Sequence, residues 1–216
     1  MRKLFQKMEY NEKKQAIISI AEKLFSVNGF DGTSVRDIAH EAGVNVAMIS
    51  YYFGSKEKLM EAVFEQKTNV MRLKVENLLL NTELSSLDKL YTLIDDYVNK
   101  FMNQQQFQKI MLLEQLVDKN GGVPQLIYEL KKRNIVSIEK LIREGQNNGQ
   151  FIEDIDIPLM MNTMVGTVSQ MIISQRFYKD INKLQHLSEA EYTQYMINKL
   201  SSHLKRLFKV ILTNEA

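Results

Sequence analysis

Apolar residues recur along this chain at the three- and four-residue spacing of an α-helix almost from end to end. Ile17, Ala21, Leu24 and Phe25 mark the inner face of a first helix, expected over Glu12 to Val27. Val35, Ile38 and Ala39 mark a short second one. Leu59, Val63, Val70 and Leu73 belong to a long helix starting near Ser55, and Leu90, Ile94, Tyr97 and Phe101 to the next. The same period returns over roughly 107–118, 124–147, 158–180 and 189–212.

The residues between these stretches agree with that reading. Ser34 with Asp37, Ser85 with Asp88, and Ser188 with Glu191 have the spacing of a capping box, in which a hydroxyl and a carboxylate satisfy orphan amides at a helix start. Leu187 and Tyr192 have the spacing of a hydrophobic staple around the last of these. Pro124 and Pro158 sit where new helices begin, a position that has no amide hydrogen bond to lose. Asn28-Gly29, Asn120-Gly121 and Asn148-Gly149 follow helical runs without flanking alternation, so they read as left-handed helix ends rather than hairpin turns. With only 2 prolines and 9 glycines to interrupt it, the chain is expected to be all-α.

Composition narrows the class further. There are no cysteines, which excludes disulfides and thiolate metal sites. The basic start Arg2-Lys3…Lys7 leads into no apolar core of a secretory signal, and no apolar run reaches the roughly 18 residues of a membrane span. A cytoplasmic protein with no membrane partner is expected. The formal net charge of +2 is too small to argue for nucleic acid by itself. His40, His186 and His203 lack zinc spacing, Gly121-Gly122 lacks the rest of a phosphate loop, and Ser201-Ser202-His203 has no carboxylate partner nearby. The expectation is therefore a protein without enzymatic activity, metal or cofactor.

One segment carries a mechanical reading. A short amphipathic helix ends at Ala42, Gly43 supplies a sharp turn, Val44 buries into the angle, and a second short helix begins at Asn45. Two helices joined so tightly and braced by a third form a helix-turn-helix, whose second helix enters the major groove. Around this segment the sequence resembles the tetracycline-repressor (TetR) family. The matching residues are Ala21, Leu24-Phe25, Gly29-Phe30, Gly32 through Ala39, Ala42-Gly43-Val44 and Tyr51 through Leu59. Glu144-Gly145, Gly149-Gln150-Phe151 and Asp154-Ile155-Asp156 resemble that family's junction before the penultimate helix.

The resemblance implies a helix-turn-helix head, residues 1–55, and a helical bundle for ligand binding and dimerisation, residues 56–216. It implies a homodimer on a double-stranded palindromic operator, released when a small molecule enters the bundle. It assigns phosphate contacts to Thr33 or Ser34, Tyr51 and Lys56, and base edges to Asn45, Val46 and Ala47. Ser50 stands where the family usually has tyrosine, Val46 where it often has a polar residue, and the stretch 45–52 carries no charge. Asn45 is either an adenine contact or a helix N-cap, and Val46 or Ala47 can meet a thymine methyl. Of Tyr51 and Tyr52, about 100° apart on a helix, one is expected inward and one toward phosphate. Lys56 is either a phosphate contact or a solvated charge. Lys13, Lys14 and the basic start either add backbone contacts or belong to a frayed terminus.

The rest of the chain supports looser expectations. Phe101, Met102, Phe107, Met111, Leu112, Tyr128 and Met164 either line an adaptable apolar pocket for a hydrophobic or amphipathic effector or are plain core. Asp95, Asp96, Glu114 and Arg176 are the ionisable residues considered for orienting a ligand. The 158–180 stretch is apolar around much of its circumference, which requires burial on more than one side. Met161, Val165, Val168, Ile172, Tyr195 and Leu204 are the expected dimer interface, with burial inside the protomer as the alternative. Two other functions compete with a ligand-responsive repressor: a helical interaction or carrier module that no longer reads DNA, and a regulator governed by a protein partner.

Overall fold

The computed structural model describes the backbone of residues 2–116 and 123–213, and the side chains of 12–66, 69, 72–105, 108–110, 112, 114–115 and 123–213. These residues form α-helices and no strand. In chain order the helices are α1 (Arg2–Asn28), α2 (Val35–Glu41), α3 (Val46–Phe53), α4 (Lys56–Leu80), α5 (Ser86–Asn103), α6 (Gln105–Leu116), α7 (Val123–Asn147), α8 (Ile157–Ile173), α9 (Gln175–Ile181) and α10 (Glu189–Leu212). They fall into two compact units, one made of Met1–Val70 with Gln106–Leu130, the other of Met71–Gln105 with Lys131–Ala216. The first unit thus runs past the 55/56 boundary and takes in α6 and the start of α7. The reason is apolar: Ile110, Val123, Ile127 and Leu130 are buried in the same cluster as Ile17, Phe25, Ile38, Ile49, Leu59 and Phe64.

In the first unit α1 is longer than expected, because nothing between Arg2 and Asn28 breaks a helix. Arg2, Lys3 and Lys7 therefore stand on helical backbone rather than an extended arm, and their side chains lie outside the described ones. Gly29, at φ 73°, ends the helix and its N–H donates to Phe25 O at 3.0 Å. α1 packs on α2 and α2 on α3, with an exposed Lys23–Glu41 ion pair of 2.9 Å across the first pairing.

In the second unit α5 packs against α10 and α8. Val98, Met102, Val168, Ile172, Met196, Leu200 and Leu204 fill one core. Ser85 caps α5 and Ser188 begins α10 with a complete capping box, Leu187 and Tyr192 joining the same apolar cluster behind it. Ser188 donates to Glu191 and holds its carboxyl below the ordinary range. That contribution is fully present above the unfolded-state pKa and is lost as pH falls through the lowered value. Gly149, at φ 67°, is a left-handed helix end as expected, while Asn120-Gly121 lies outside the described residues. A Cβ on Gly145 would overlap the Phe151 ring, so only glycine lets that buried phenyl lie on α7.

The helix expected over 158–180 is broken. α8 stops at Ile173 and α9 restarts at Gln175, with Ser174 between them at φ −96°, ψ 18°. Side chains bond back onto the end of α8: Ser174 Oγ donates to Gln170 O at 2.7 Å, beside the Ser174 N–H at 2.9 Å, and Gln175 Nε2 donates to Ile172 O at 2.9 Å. Among the described residues no helix is long and apolar enough to cross a membrane.

Candidate nucleic-acid interface

The turn after α2 is closed by backbone alone. Gly43 donates to His40 O at 3.2 Å and Val44 to Ala39 O at 3.0 Å, the paired bonds of a Schellman motif, with Gly43 at φ 63°. A side chain at Gly43 would strain that conformation. Ser34 opens α2 with a full capping box: its Oγ accepts the Asp37 N–H at 3.1 Å, and the Asp37 carboxylate accepts the Ser34 N–H at 2.9 Å. Asn45 opens α3 by accepting the Ala47 N–H at 2.8 Å. Its Oδ1 is thereby engaged as a cap, which leaves the amide NH₂ as its outward group.

α3 divides cleanly. Ile49 is buried and Tyr52 and Phe53 pack partly into the head core. Val46, Ala47, Ser50 and Tyr51 are exposed, Tyr51 at 77%. These four form two i, i+4 pairs and hence one face. Its residues, within the helix VAMISYYF, carry no formal charge. Ser50 was absent from the expected contacts, although its four-residue offset from Val46 places it there. Arg36 of α2 is also exposed.

Three of the residues named for DNA contact have roles within the head. Thr33 is fully buried, its hydroxyl 2.8 Å from Gly29 O and 3.2 Å from Leu24 O, where it closes the end of α1. Tyr52 is the inward member of the tyrosine pair, its ring edge-on to Tyr51 at 5.5 Å. Lys56 has partners within the head rather than being a wholly solvated charge. Its Nζ donates to Phe30 O at 2.9 Å and Thr33 O at 3.0 Å, and sits 4.2 Å from the centre of the Phe30 ring. Lys14 lies 5.6 Å from the Phe53 ring centre, so it too has an intramolecular partner.

The loop that Lys56 holds is gripped a second time, by a residue considered above for ligand binding. Glu114 of α6 accepts the Phe30 N–H at 3.1 Å. Phe30 thus has its carbonyl on one helix and its amide on another. Replacing Lys56 by Met is expected to cost about 1–3 kcal/mol in a urea melt, since two carbonyls lose a charged donor. A stability change within about 0.5 kcal/mol would mean that the lysine is dispensable to the loop.

The expected ligand residues fall in both units. Phe101 and Met164 pack against the second unit's core and Met102 is buried within it. Leu112 and Tyr128 belong to the first unit, where Tyr128 is 54% exposed and cannot line an enclosed cavity. The side chains of Phe107 and Met111 lie outside the described ones. A cleft of about 410 Å³ in the first unit is lined by Glu57, Glu61, Val123, Gln125, Leu126 and Glu129, none of them among the expected residues. Asp95 and Asp96 are taken by Lys205 and Lys74, and Arg176 is exposed.

Three of the expected dimer residues are taken up by the protomer's own core. Val168, Ile172 and Leu204 are buried in that core, Met161 and Tyr195 are half-buried against it, and Val165 is half-buried. On α8, α9 and α10 the exposed large apolar residues are Leu159 and Ile173, Phe177 and Ile181, and Val210 and Ile211.

A capped helix, a glycine turn and a second capped helix with a small, uncharged outer face define a helix-turn-helix DNA-binding transcriptional regulator. The family model "Bacterial regulatory proteins, tetR family" matches residues 17–63, and the model "YsiA-like protein, C-terminal region" matches 64–206. The chain belongs to the TetR family. It is 26% identical over 210 residues to the "Probable HTH-type transcriptional regulator YttP" of Bacillus subtilis, covering 93% of this chain and 98% of that protein. It is 32% identical over 145 residues to the HTH-type transcriptional repressor NicS of Pseudomonas putida, covering 65% and 66%. The crystal structure of the regulator FadR from Bacillus subtilis, in complex with stearoyl-CoA, superposes with a TM-score of 0.66 at 21% identity, over 88% of this chain and 96% of that one. At that identity the likeness is one of fold.

Proposed function

We propose that this sequence-specific regulator is a repressor that binds a palindromic operator as a homodimer and leaves it when an amphipathic small molecule binds the second unit. The observation that carries the DNA half of this reading is the outer face of α3. Val46 and Ala47 offer methyl groups to thymine, Ser50 offers a hydroxyl to either kind of base edge, and Tyr51 reaches toward the backbone. Ser34 caps α2, and Arg36 is exposed on it. The repressor NicS and the acyl-CoA complex of FadR support the direction of regulation and the class of effector.

Selection from a random duplex pool tests it. The wild type is expected to enrich a palindrome with half-sites about 34–36 Å apart and thymines under Val46 and Ala47. Tyr51→Ala is expected to recover the same sequence more weakly, as a positioning contact should. Enrichment of no palindrome at low salt would remove the reading.

The homodimer reading rests on exposed residues of α8 and α9. Leu159, Gly166 and Ile173 recur every seven residues on α8, and Phe177 and Ile181 follow on α9. Gly166 is exposed in mid-helix, where glycine costs about 1 kcal/mol relative to alanine, and a Cβ there would meet nothing of its own chain. Close approach of a second copy accounts for a glycine there. Ile173→Asp is expected to shift sedimentation from dimer to monomer and to lower operator affinity with it. An unchanged dimer would place the interface elsewhere.

A further inference from the structure

The exposed residues at the start of α3 differ in how much hydrogen-bond information they carry. Val46 and Ala47 present only methyl groups, and the hydroxyls of Ser50 and Tyr51 turn to donate or accept as a partner requires. Asn45, exposed at the cap, carries the amide among them. An amide that is free to turn offers an acceptor and a donor side by side, the pattern that pairs with N6 and N7 of adenine. Asn45 is not free in this way. Its Oδ1 accepts the Ala47 N–H at 2.8 Å, and its backbone holds the extended conformation of an N-cap, at φ −73° and ψ 141°.

That bond sets the polarity of the group. With Oδ1 turned back onto the first turn of α3, Nδ2 stands on the other side of the planar amide and faces away from the helix end. Nδ2 makes no hydrogen bond to the described residues. Turning the amide to bring Oδ1 to a base would give up the cap and leave the Ala47 N–H without its acceptor. The second helix of a helix-turn-helix meets base edges with its N-terminal residues, which carries this donor into the groove beside Val46 and Ala47.

We infer that Asn45 is a specificity-determining residue that reads one base of each half-site as a donor alone. The base opposite it must then offer acceptors. Guanine presents two adjacent ones in the major groove, N7 and O6, within reach of the two hydrogens of one NH₂ group. Cytosine presents the N4 donor there and is rejected. The selected base is therefore guanine, not the adenine that a freely turning asparagine would take. In a palindrome it recurs once in each half-site, next to the thymines under Val46 and Ala47. The inference rests on the proposal that the outer face of α3 reads a palindromic operator, and it names one base of that operator.

Duplex selection with the full chain, followed by competition between duplexes that differ at this one base pair, tests it with two variants that keep the cap. Aspartate caps a helix as well as asparagine and presents acceptors only, whereas serine caps it through a side chain too short to reach a base as well. Both Asn45→Asp and Asn45→Ser should melt near the wild-type temperature. The wild type is expected to prefer the guanine duplex to the adenine one by about tenfold, and to the cytosine one by more. Asn45→Asp is expected to place cytosine above guanine, through acceptance from N4, and Asn45→Ser to bring all the duplexes within about threefold of one another. Ratios between duplexes cancel the general loss of affinity that a carboxylate brings among phosphates. A wild-type preference for adenine would overturn the donor reading, as would a base order that neither variant alters. Failure of the wild type to enrich any palindrome would instead remove the reading beneath it. A palindrome whose every position survives both substitutions keeps the operator and removes this inference alone.

Discussion

Replacing Val46 with Glu is expected to lower operator affinity by about 100-fold or more, equivalent to roughly 2.7 kcal/mol. Val46 is the first residue of α3 and 39% exposed, on the face with Ala47, Ser50 and Tyr51. A carboxylate there would enter a groove lined by phosphates, where like charges brought together cost several kcal/mol. The same substitution should leave the fold intact. An acidic side chain in a first helical turn interacts favourably with the helix dipole, by about 0.3–1 kcal/mol. Affinity and stability are therefore expected to move in different directions, which separates loss of reading from loss of structure. Titration of the selected duplex alongside a thermal melt would show it. An affinity within about threefold of the wild type would mean that the start of α3 does not face the groove.

The second large effect is an asymmetry in the second unit. Lys89 of α5 is only 3% exposed at its side chain and donates to Glu144 of α7 at 2.6 Å, while Glu144 keeps 31% of its side-chain surface. The Glu144 carboxylate also lies 3.5 Å from the Ser86 hydroxyl, and the Ser86 N–H donates to Gln150 Oε1 at 2.9 Å, so the start of α5 is tied to the end of α7 and the loop after it. Glu144→Leu removes the countercharge and leaves an ammonium in the core, an expected loss of about 3–5 kcal/mol. Lys89→Met removes the buried charge and leaves a carboxylate that water can reach, an expected change within about 1 kcal/mol. The double variant should recover most of the stability lost in Glu144→Leu. Urea unfolding of the three proteins decides the matter. Equal costs for the two single changes would mean that the ammonium finds water or a second partner.

The features legible in the amino-acid sequence are those fixed within a few residues of one another. Ser34 with Asp37, and Ser188 with Glu191, formed the boxes that their spacing announced. Gly43 took the positive φ that a tight turn after α2 demands. Local hydrogen bonds and backbone sterics determine such features, and both are written in neighbouring residues. The helix-turn-helix, a chain of such local features, was legible for the same reason.

Features that depend on what packs against a helix were not legible. α8 is apolar on most sides, so its period does not say which stripe meets α5. The fold put Val168 and Ile172 inward and left Leu159 and Ile173 outside. Lys56 and Thr33 carry the polar groups of phosphate contacts, yet the carbonyls of Phe30, Gly29 and Leu24 converge on them from other turns of the chain and claim those groups. Nothing near Glu114 announces that it accepts an amide 84 positions away. The break at Ser174 is equally silent, because the bonds that Ser174 and Gln175 send back to Gln170 O and Ile172 O leave no mark on the hydrophobic period. Hydrophobic period and local capping, which short stretches of sequence carry in full, settled the kinds of element and the reading head. The phase of each helix and the partners of its polar groups are properties of neighbours distant in sequence, and only their packing decided them.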